Sequence, residues 1–126
     1  MKKQVVNIPG TSPVRHLSRA IKWGNLLFIA GTVGRDPATS QMANDIAGQT
    51  RQTLENIQAA CQAAGTSLDN VLKMTCYLQD LADKPAFDEV YVTYFQKDPP
   101  TRACFQVGNL GTGVLLEIEA IAGIPE

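Results

Sequence analysis

A period of two runs through the segment VLKMTCYL, residues 71–78, a little past the middle of the chain. Alternate residues from Leu72 to Leu78 would share one face of a β-strand, and those from Val71 to Tyr77 would share the other. Because both faces carry apolar side chains, neither is expected to face water alone. The segment therefore predicts a strand in a sheet that has to be covered on both sides.

The sequence before this strand has the periodicity of a helix. Apolar or small residues recur at every third or fourth position across residues 43–64, Asn44 or Asp45 can cap the start, and Gly65 can follow the end. The opposite face of this helix is polar, and we expect its side chains to be solvated: Gln49, Arg51, Gln52, Gln58 and Gln62.

The sequence after the strand predicts a second helix. It begins near Pro85, which suits a first helical turn, and an apolar stripe at helical spacing continues from Phe87 to Phe95. Asp98-Pro99-Pro100 should end it, because proline neither donates to the helix nor tolerates a helical residue before it.

Further strands are predicted at both ends of the chain. Gly24-Asn25 separates residues 20–23 from residues 26–30 and is typical of a tight hairpin. Two more strands are expected at residues 102–107 and 114–122. The order of elements predicts an α+β domain with both helices on one face of a sheet of five or six strands.

The second face of this sheet has no helix to cover it, although residues such as Tyr77, Leu115 and Ile121 would lie there. An uncovered, partly apolar sheet face is usually buried against another subunit. The sequence therefore predicts a homo-oligomer.

Length and composition limit what such a chain can be. Its 126 residues and 13.6 kDa suit one domain, residues 1–126, with a 44% hydrophobic and 18% charged composition typical of a folded protein. The net charge of −1 gives no bulk attraction for nucleic acid. One histidine and three cysteines exclude a zinc ribbon or a multi-disulfide scaffold and disfavour a histidine-based metal site.

The same inventory bears on location. No apolar run is long enough to cross a membrane, and the apolar stretch near the start is interrupted at Pro9-Gly10, too early for a secretory signal. Cys61, Cys76 and Cys104 are widely spaced and odd in number, as reduced thiols would be. We therefore expect a cytoplasmic protein without membrane contacts.

Arg102 is the residue most suggestive of a site. In a strand, Arg102, Cys104 and Gln106 would share one face, and an arginine fork can hold a carboxylate through two parallel hydrogen bonds. The alternative is a structural ion pair with a glutamate. Spacing alone leaves both open.

Glu117 and Glu119 would share a face of the last strand, with Leu116, Ile118 and Ala120 on the other. One glutamate could pair with Arg102 or Lys73 while the other acts as a general base or orients a water molecule. Exposure of both to solvent is the simpler alternative.

Cys104 and His16 are weaker candidates. Cys104 could be an inert core residue, or the nearby Arg102 could lower its pKa and make it reactive. His16 lies far from both in the sequence and reads as a loop residue.

These segments together resemble a known family. Residues 100–107, PTRACFQV, and residues 115–122, LLEIEAIA, are similar to the C-terminal signature of the RidA/YjgF family, the reactive intermediate deaminases. Residues 49–57, QTRQTLENI, resemble the first helix of that family, and residues 24–31 resemble its hairpin. The likeness covers nearly the whole chain.

The resemblance implies a chorismate-mutase-like α+β fold, here called YjgF-like, assembled as a homotrimer with clefts between subunits. It implies hydrolysis of enamine and imine acids such as 2-aminoacrylate to a 2-keto acid and ammonia, with no metal and no cofactor. Arg102 matches the arginine that clamps the substrate carboxylate, and Glu117 matches the glutamate that positions or activates water. Cys104 matches the cysteine that lines the pocket.

The other substrate-binding positions that the resemblance implies depart from RidA itself. Leu17 stands where RidA has tyrosine, Ala30 where it has serine, and Asp88 where it has asparagine. Asp88 would bring a negative charge near an anionic ligand unless its side chain points away. His16 belongs to a cationic group in the loop that borders the cleft: Arg15, His16 and Arg19.

Three functions remain open at this point. The first is deamination of small enamine or imine acids. The second is a specialised deaminase for a dicarboxylate enamine such as 2-aminomuconate, whose second carboxylate the Arg15, His16 and Arg19 group could accept. The third is a family member that binds small carboxylates without catalysis, as a regulator or holdase.

Overall fold

Six strands form one sheet in the computed structural model, which describes residues 1–126, and two helices pack on one side of it. Short 3-10 helices at Leu68–Asn70 and Leu81–Asp83 lead into β4 and α2 respectively. The elements are β1 (Lys3–Val5), β2 (Ala20–Trp23), β3 (Leu26–Thr32), α1 (Ile46–Ala63), β4 (Val71–Leu78), α2 (Lys84–Tyr94), β5 (Thr101–Gln106) and β6 (Leu116–Gly123).

The strand order is β1-β2-β3-β6-β4-β5. All neighbouring strands are antiparallel except β4 and β5, which run parallel and are joined through α2. A parallel pair needs such a crossover, since a tight turn can only reverse the chain. The mixed sheet with two helices on one face is the predicted architecture.

The core lies between this sheet and the helices. Leu54 and Ile57 of α1 and Phe87 of α2 are fully buried, as are Met74 of β4 and Ile118 of β6. Alternate residues of β6 point into the core, which is why its burial follows a period of two. Neither helix combines the length and the hydropathy needed to cross a lipid bilayer.

No element of this chain covers the second sheet face. Ile21, Phe28, Tyr77, Phe105 and Ile121 belong to it, because each lies beside or alternates with residues buried on the helix side. Phe28 remains 42% exposed and Phe105 45% exposed. The sequence correctly predicted a partly apolar sheet face without a helix over it.

The start of β4 differs from the predicted alternation. Val71 is buried and Leu72 is 51% exposed, whereas the period of two placed Leu72 on the core face with Met74. The pairing of β4 with β6 shifts register between Val71 and Lys73. Such an irregularity inserts one extra residue into the strand, so the side chains that precede it point to the opposite face from the one that the alternation predicts. The prediction for these residues was therefore wrong, while that for Met74 to Leu78 is confirmed.

The burial of Gln49 is a second difference between the structure and the sequence-based prediction. We expected a solvated side chain, but Gln49 is fully buried. Its Nε2 donates to the carbonyl oxygens of Ala43 and Gly113, both at 2.8 Å, and its Oε1 accepts from the Leu115 amide at 2.9 Å. Gln49 therefore joins the start of α1 to the loop that precedes β6.

Candidate functional site

Arg102 lies on the helix side of β5, at the edge of the sheet. Its register partner is Met74 of β4, which is fully buried, so the Arg102 side chain rises beside α2. The guanidinium carbon is 4.8 Å from the centre of the Tyr91 ring and 5.6 Å from that of Phe87. Contacts of this kind hold a cation in place over aromatic faces. The side chain nevertheless stays 23% exposed.

The partner of Arg102 is Asp88, and neither strand glutamate pairs with it. The Nη1 atom of Arg102 donates to Asp88 Oδ1 at 2.6 Å, and Lys84 Nζ donates to Asp88 Oδ2 at 2.9 Å. Only Nη1 of the guanidinium donates to another residue. The suggested ion pair of Arg102 with a glutamate is wrong, because α2 carries Asp88 directly over β5.

The two cations determine the ionisation of Asp88. Partial burial by itself would raise the pKa of this carboxyl, but the hydrogen bonds from Arg102 and then Lys84 outweigh burial and hold the pKa below its ordinary value. The same pair raises the pKa of Arg102 against the opposing effect of burial. The Asp88 carboxylate and the Arg102 guanidinium are therefore both charged near neutral pH.

Cys104 is half-buried on the same side of β5 as Arg102 and pairs in register with buried Cys76. Burial raises the pKa of the Cys104 thiol, and the nearby Arg102 only partly offsets this. The hypothesis that Arg102 activates Cys104 is therefore wrong. Cys104 lines the surface beside the guanidinium as a protonated thiol near neutral pH.

Glu117 lies on the opposite face of the sheet from Arg102. It pairs in register with Tyr77 of β4, while Ile118 beside it faces the core. The Glu117 carboxylate packs directly on Gly31, and a Cβ atom at Gly31 would overlap it. Gly31 lies in an irregularity of the β3–β6 pairing between Ile29 and Thr32, so the missing side chain is what gives Glu117 its place.

Glu119 and Glu117 differ in their hydrogen bonds. The Tyr77 hydroxyl donates to Glu119 Oε1 at 2.8 Å, and this bond raises the pKa of Tyr77. Glu117 accepts no hydrogen bond from another residue. The chain forms ion pairs only at Lys84–Asp88 and Arg102–Asp88, so neither glutamate is paired with Lys73.

A depression of about 370 Å³ adjoins Gly31. Leu17 and Ala30 line it, as does Arg19, whose Nη2 donates to the Ser12 carbonyl at 3.2 Å. Arg15 and His16 are exposed on the same loop but do not line the depression. The structure thus brings Leu17 and Ala30 together beside Gly31 and leaves His16 outside. Glu117 does not line this depression; it lines a second one with Tyr77 and Glu119, and Gly31 borders both.

The candidate residues form two groups, and the central residues of these groups, Arg102 and Glu117, lie on opposite faces of one sheet. We call Arg102, Asp88, Lys84 and Cys104 the arginine half-site, and Glu117, Gly31, Ala30 and Leu17 the glutamate half-site. A sheet one strand thick separates them, so no small ligand can contact Arg102 and Glu117 of the same chain. The two half-sites are therefore not in contact within one chain.

Comparisons with known proteins agree with this architecture. The family model described as Endoribonuclease L-PSP matches residues 9–124. A RutC family protein of Pyrococcus horikoshii is 46% identical over 97% of this chain and 98% of its own length. TdcF of Escherichia coli K12, provisionally named a reactive intermediate deaminase, is 36% identical over 97% of both chains.

The chain belongs to the RidA/YjgF family. A crystal structure of E. coli TdcF with bound serine superposes with a TM-score of 0.90, at 35% identity over 98% of this chain and 100% of that one. The RidA-like fold predicted from the sequence is therefore confirmed.

Sequence reasoning missed two members of the half-sites in this RidA-family chain. Lys84 precedes Asp88 by one helical turn, and this spacing is the signal that could have revealed their pairing. Gly31 ends a strongly apolar strand segment, where a glycine often marks a close approach of another group.

Proposed function

We propose that the protein hydrolyses small enamine or imine acids of the 2-aminoacrylate type to 2-keto acids and ammonia. The observation that carries the proposal is the setting of Arg102. Its guanidinium is fixed over Tyr91 and bound to Asp88 through Nη1 alone, and Nε and Nη2 donate to no other residue. An arginine with donors to spare at a partly exposed position can receive a carboxylate through two parallel bonds.

The reaction requires few groups. An imine carbon is already electrophilic, so water needs orientation and modest base assistance rather than a covalent nucleophile. In the proposed step the water oxygen bonds to the carbon of the protonated imine, the C=N electron pair moves to nitrogen, and a water proton passes to Glu117. Glu117 returns this proton to the nitrogen of the amino alcohol so formed. The C–N bond then breaks as the hydroxyl group loses its remaining proton to solvent and becomes a carbonyl, so ammonia leaves and a keto acid remains bound to Arg102.

The separation of the half-sites supports an assembly in which subunits share a cleft. We infer a homotrimer in which the arginine half-site of one subunit faces the glutamate half-site of its neighbour. The uncovered sheet face, with Phe28 42% exposed, supplies an apolar surface for such contacts. The named relative TdcF, solved with serine, supports a small amino-acid-derived ligand for a site of this family.

A coupled assay tests the activity. A pyridoxal-phosphate-dependent dehydratase releases 2-aminoacrylate from serine, and the purified protein is added while imine decay and keto-acid formation are followed. We expect faster decay with the wild type and no acceleration with Arg102→Ala, because the substrate carboxylate loses its clamp. Arg51→Ala is the matched control, since Arg51 is an exposed arginine of α1 outside both half-sites.

The glutamate role is tested in the same assay. Glu117→Gln should lower the rate about a hundredfold with little change in apparent affinity, because the amide cannot take a proton. Glu55→Gln, at an exposed position of α1, is its control. Unchanged imine decay with the wild type, together with intact keto-acid binding, would favour the non-catalytic carboxylate-binding function.

One observation favours the dicarboxylate alternative. Arg19 lines the depression with Leu17 and Ala30, so a ligand with a second carboxylate would meet a cation there. Arg15 and His16 give this alternative no further support, because neither lines the depression. Faster loss of ammonia from 2-aminomuconate than from 2-aminoacrylate, lowered by Arg19→Gln, would favour it.

The geometry gives no support to RNA cleavage, the activity that the family model's description names. The net charge is −1, and the single histidine, His16, is exposed and does not line the depression beside Gly31. An RNA-binding site needs a basic surface, and cleavage of the backbone needs a positioned acid and base.

A further inference from the structure

Asp88 places a negative charge in direct contact with the group that we propose as the carboxylate clamp. Its Oδ1 is 2.6 Å from Arg102 Nη1, and its side chain is 31% exposed. An incoming carboxylate must therefore share Arg102 with a carboxylate of the protein. This arrangement weakens the attraction for a simple anion, because like charges repel most strongly at short range.

Lys84 fixes Asp88 in this position. Its Nζ is 2.9 Å from Asp88 Oδ2, so the carboxylate is held from both sides and cannot turn away from Arg102 without breaking one of two charged hydrogen bonds. Each Asp88 oxygen accepts one bond from these partners and has capacity for another. Asp88 can thus accept a hydrogen bond from a ligand while it stays bound to Arg102.

We propose that Asp88 is a specificity-determining residue that makes the arginine half-site prefer zwitterionic α-amino or α-iminio acids over α-keto acids. The proposal rests on the proposed role of Arg102 as carboxylate clamp. The α-nitrogen of such a ligand and its carboxylate carbon are bonded to the same α-carbon. When the carboxylate is bound at Arg102, this nitrogen therefore lies close to Asp88. A protonated nitrogen gains a charged hydrogen bond there, whereas a keto oxygen meets a second acceptor.

The same contact would assist turnover. The iminium substrate carries a positive nitrogen and the keto-acid product does not, so Asp88 favours the substrate and disfavours the product. A site that binds its product weakly avoids inhibition as the keto acid accumulates.

Binding of two ligands of similar size tests the proposal. Calorimetric dissociation constants are measured for L-alanine and pyruvate with the wild type, Asp88→Asn, Glu89→Gln and Arg102→Ala. Glu89→Gln removes the same charge from the next position of α2, where the side chain is exposed and has no partner in the structure. We expect the preference for L-alanine over pyruvate to fall about tenfold or more in Asp88→Asn and to stay unchanged in Glu89→Gln.

The outcomes separate this proposal from the one on which it rests. If Arg102→Ala abolishes binding of both ligands but Asp88→Asn changes both affinities by the same factor, Asp88 sets no preference and only the clamp survives. If Arg102→Ala leaves both affinities unchanged, the clamp and the preference are both overturned. If L-alanine binds both proteins while pyruvate binds neither the wild type nor Asp88→Asn, Asp88 does not set the preference and only the proposal on Asp88 is overturned. A purely structural role of Asp88 would alter both affinities together and leave their ratio constant.

Discussion

Gly31 is the residue on which the position of Glu117 depends. The backbone at Gly31 does not require a left-handed conformation, so alanine is sterically allowed by φ, but its Cβ would overlap the Glu117 carboxylate. Gly31→Ala should therefore displace this carboxylate and lower the deaminase rate about a hundredfold, since misplacement of a catalytic group by about 1 Å has such effects. The measurement is the rate of imine decay in the coupled assay.

Gly123→Ala serves as the control for this substitution. It also lies in a strand of the same sheet, but an added Cβ would make only ordinary contacts at 3.8 Å with Asn70 and Leu72. The free energy of unfolding of both variants should lie within about 1 kcal/mol of the wild-type value. Full activity of Gly31→Ala would contradict the assignment of Glu117 to the site.

The thiols provide a pH-dependent prediction. Burial raises the pKa of Cys76 to about 12 and that of Cys61 to about 11, and the pKa of half-buried Cys104 is also raised. A raised pKa leaves less thiolate at neutral pH, so iodoacetamide should label the folded protein about tenfold more slowly than free cysteine at pH 7.5. Labelling should increase as the pH rises toward these values, and Cys104 should react first.

Mass spectrometry of the alkylated protein measures this rate at each cysteine. The unfolded chain in denaturant at the same pH is the control, since all three thiols then have ordinary pKa values. Rapid labelling of Cys104 in the folded protein near pH 7 would show an activated thiolate and contradict the conclusion that the Cys104 thiol has a raised pKa.

For single residues, the sequence identified the correct residue types but not their partners. Period two placed Arg102 and Cys104 on one face of a strand, and the structure agrees. The Asp88 contact depends on how α2 crosses β5, a tertiary relation that local spacing does not contain. Gly31 could not be assigned to Glu117 for the same reason, because the two residues meet only when β3 pairs with β6.

At the scale of helices and strands, α1 shows that a polar residue in a helix can be buried and bonded. A glutamine at helical spacing predicts a solvated face, yet Gln49 is buried and bound to the loop before β6. Gln49→Ala should lower the free energy of unfolding by about 2–4 kcal/mol, because it removes a fully buried side chain together with its three hydrogen bonds to Ala43, Gly113 and Leu115. Chemical denaturation measures this change.

Gln62→Ala is the appropriate comparison for Gln49→Ala. Gln62 is an exposed glutamine of the same helix, and its side chain makes no hydrogen bond within the chain. We expect a change of less than about 0.5 kcal/mol for this variant. Equal stability of the two variants would mean that the three bonds of Gln49 contribute nothing net.

Strands and helices themselves were largely predictable, and the failures have a physical pattern. The bounds of β4 agree with the alternating segment, and both helices were found from their apolar stripes. β1 was missed because Lys3–Val5 is short and exposed throughout, so it carries no burial signal. The facing of Val71 and Leu72 was missed because an irregular register depends on the partner strand and leaves no mark in the period.

For the whole molecule, the uncovered sheet face predicts the assembly. Phe28 lies on that face, and Phe28→Lys should break the proposed trimer into slower-sedimenting species, because a buried interface would then contain an unpaired charge. Sedimentation velocity measures the distribution. Gln62→Lys, at an exposed position of α1 outside both half-sites, should leave the trimer intact.

A monomeric wild type, or dissociation caused equally by both variants, would contradict this interface. In that case no second copy would complete the cleft, and the two half-sites could not act together. The retention of catalysis by a monomer would likewise overturn the shared site.

The placement of Arg102 and Glu117 on opposite faces of one sheet has a genetic consequence. Two alleles, one defective at Arg102 and the other at Glu117, would each encode an inactive protein, yet co-expression would restore activity. In a ring in which each cleft takes its arginine from one subunit and its glutamate from the next, every mixed trimer contains a single cleft with both groups intact. Such complementation between alleles would be impossible for an enzyme that builds its site from one chain.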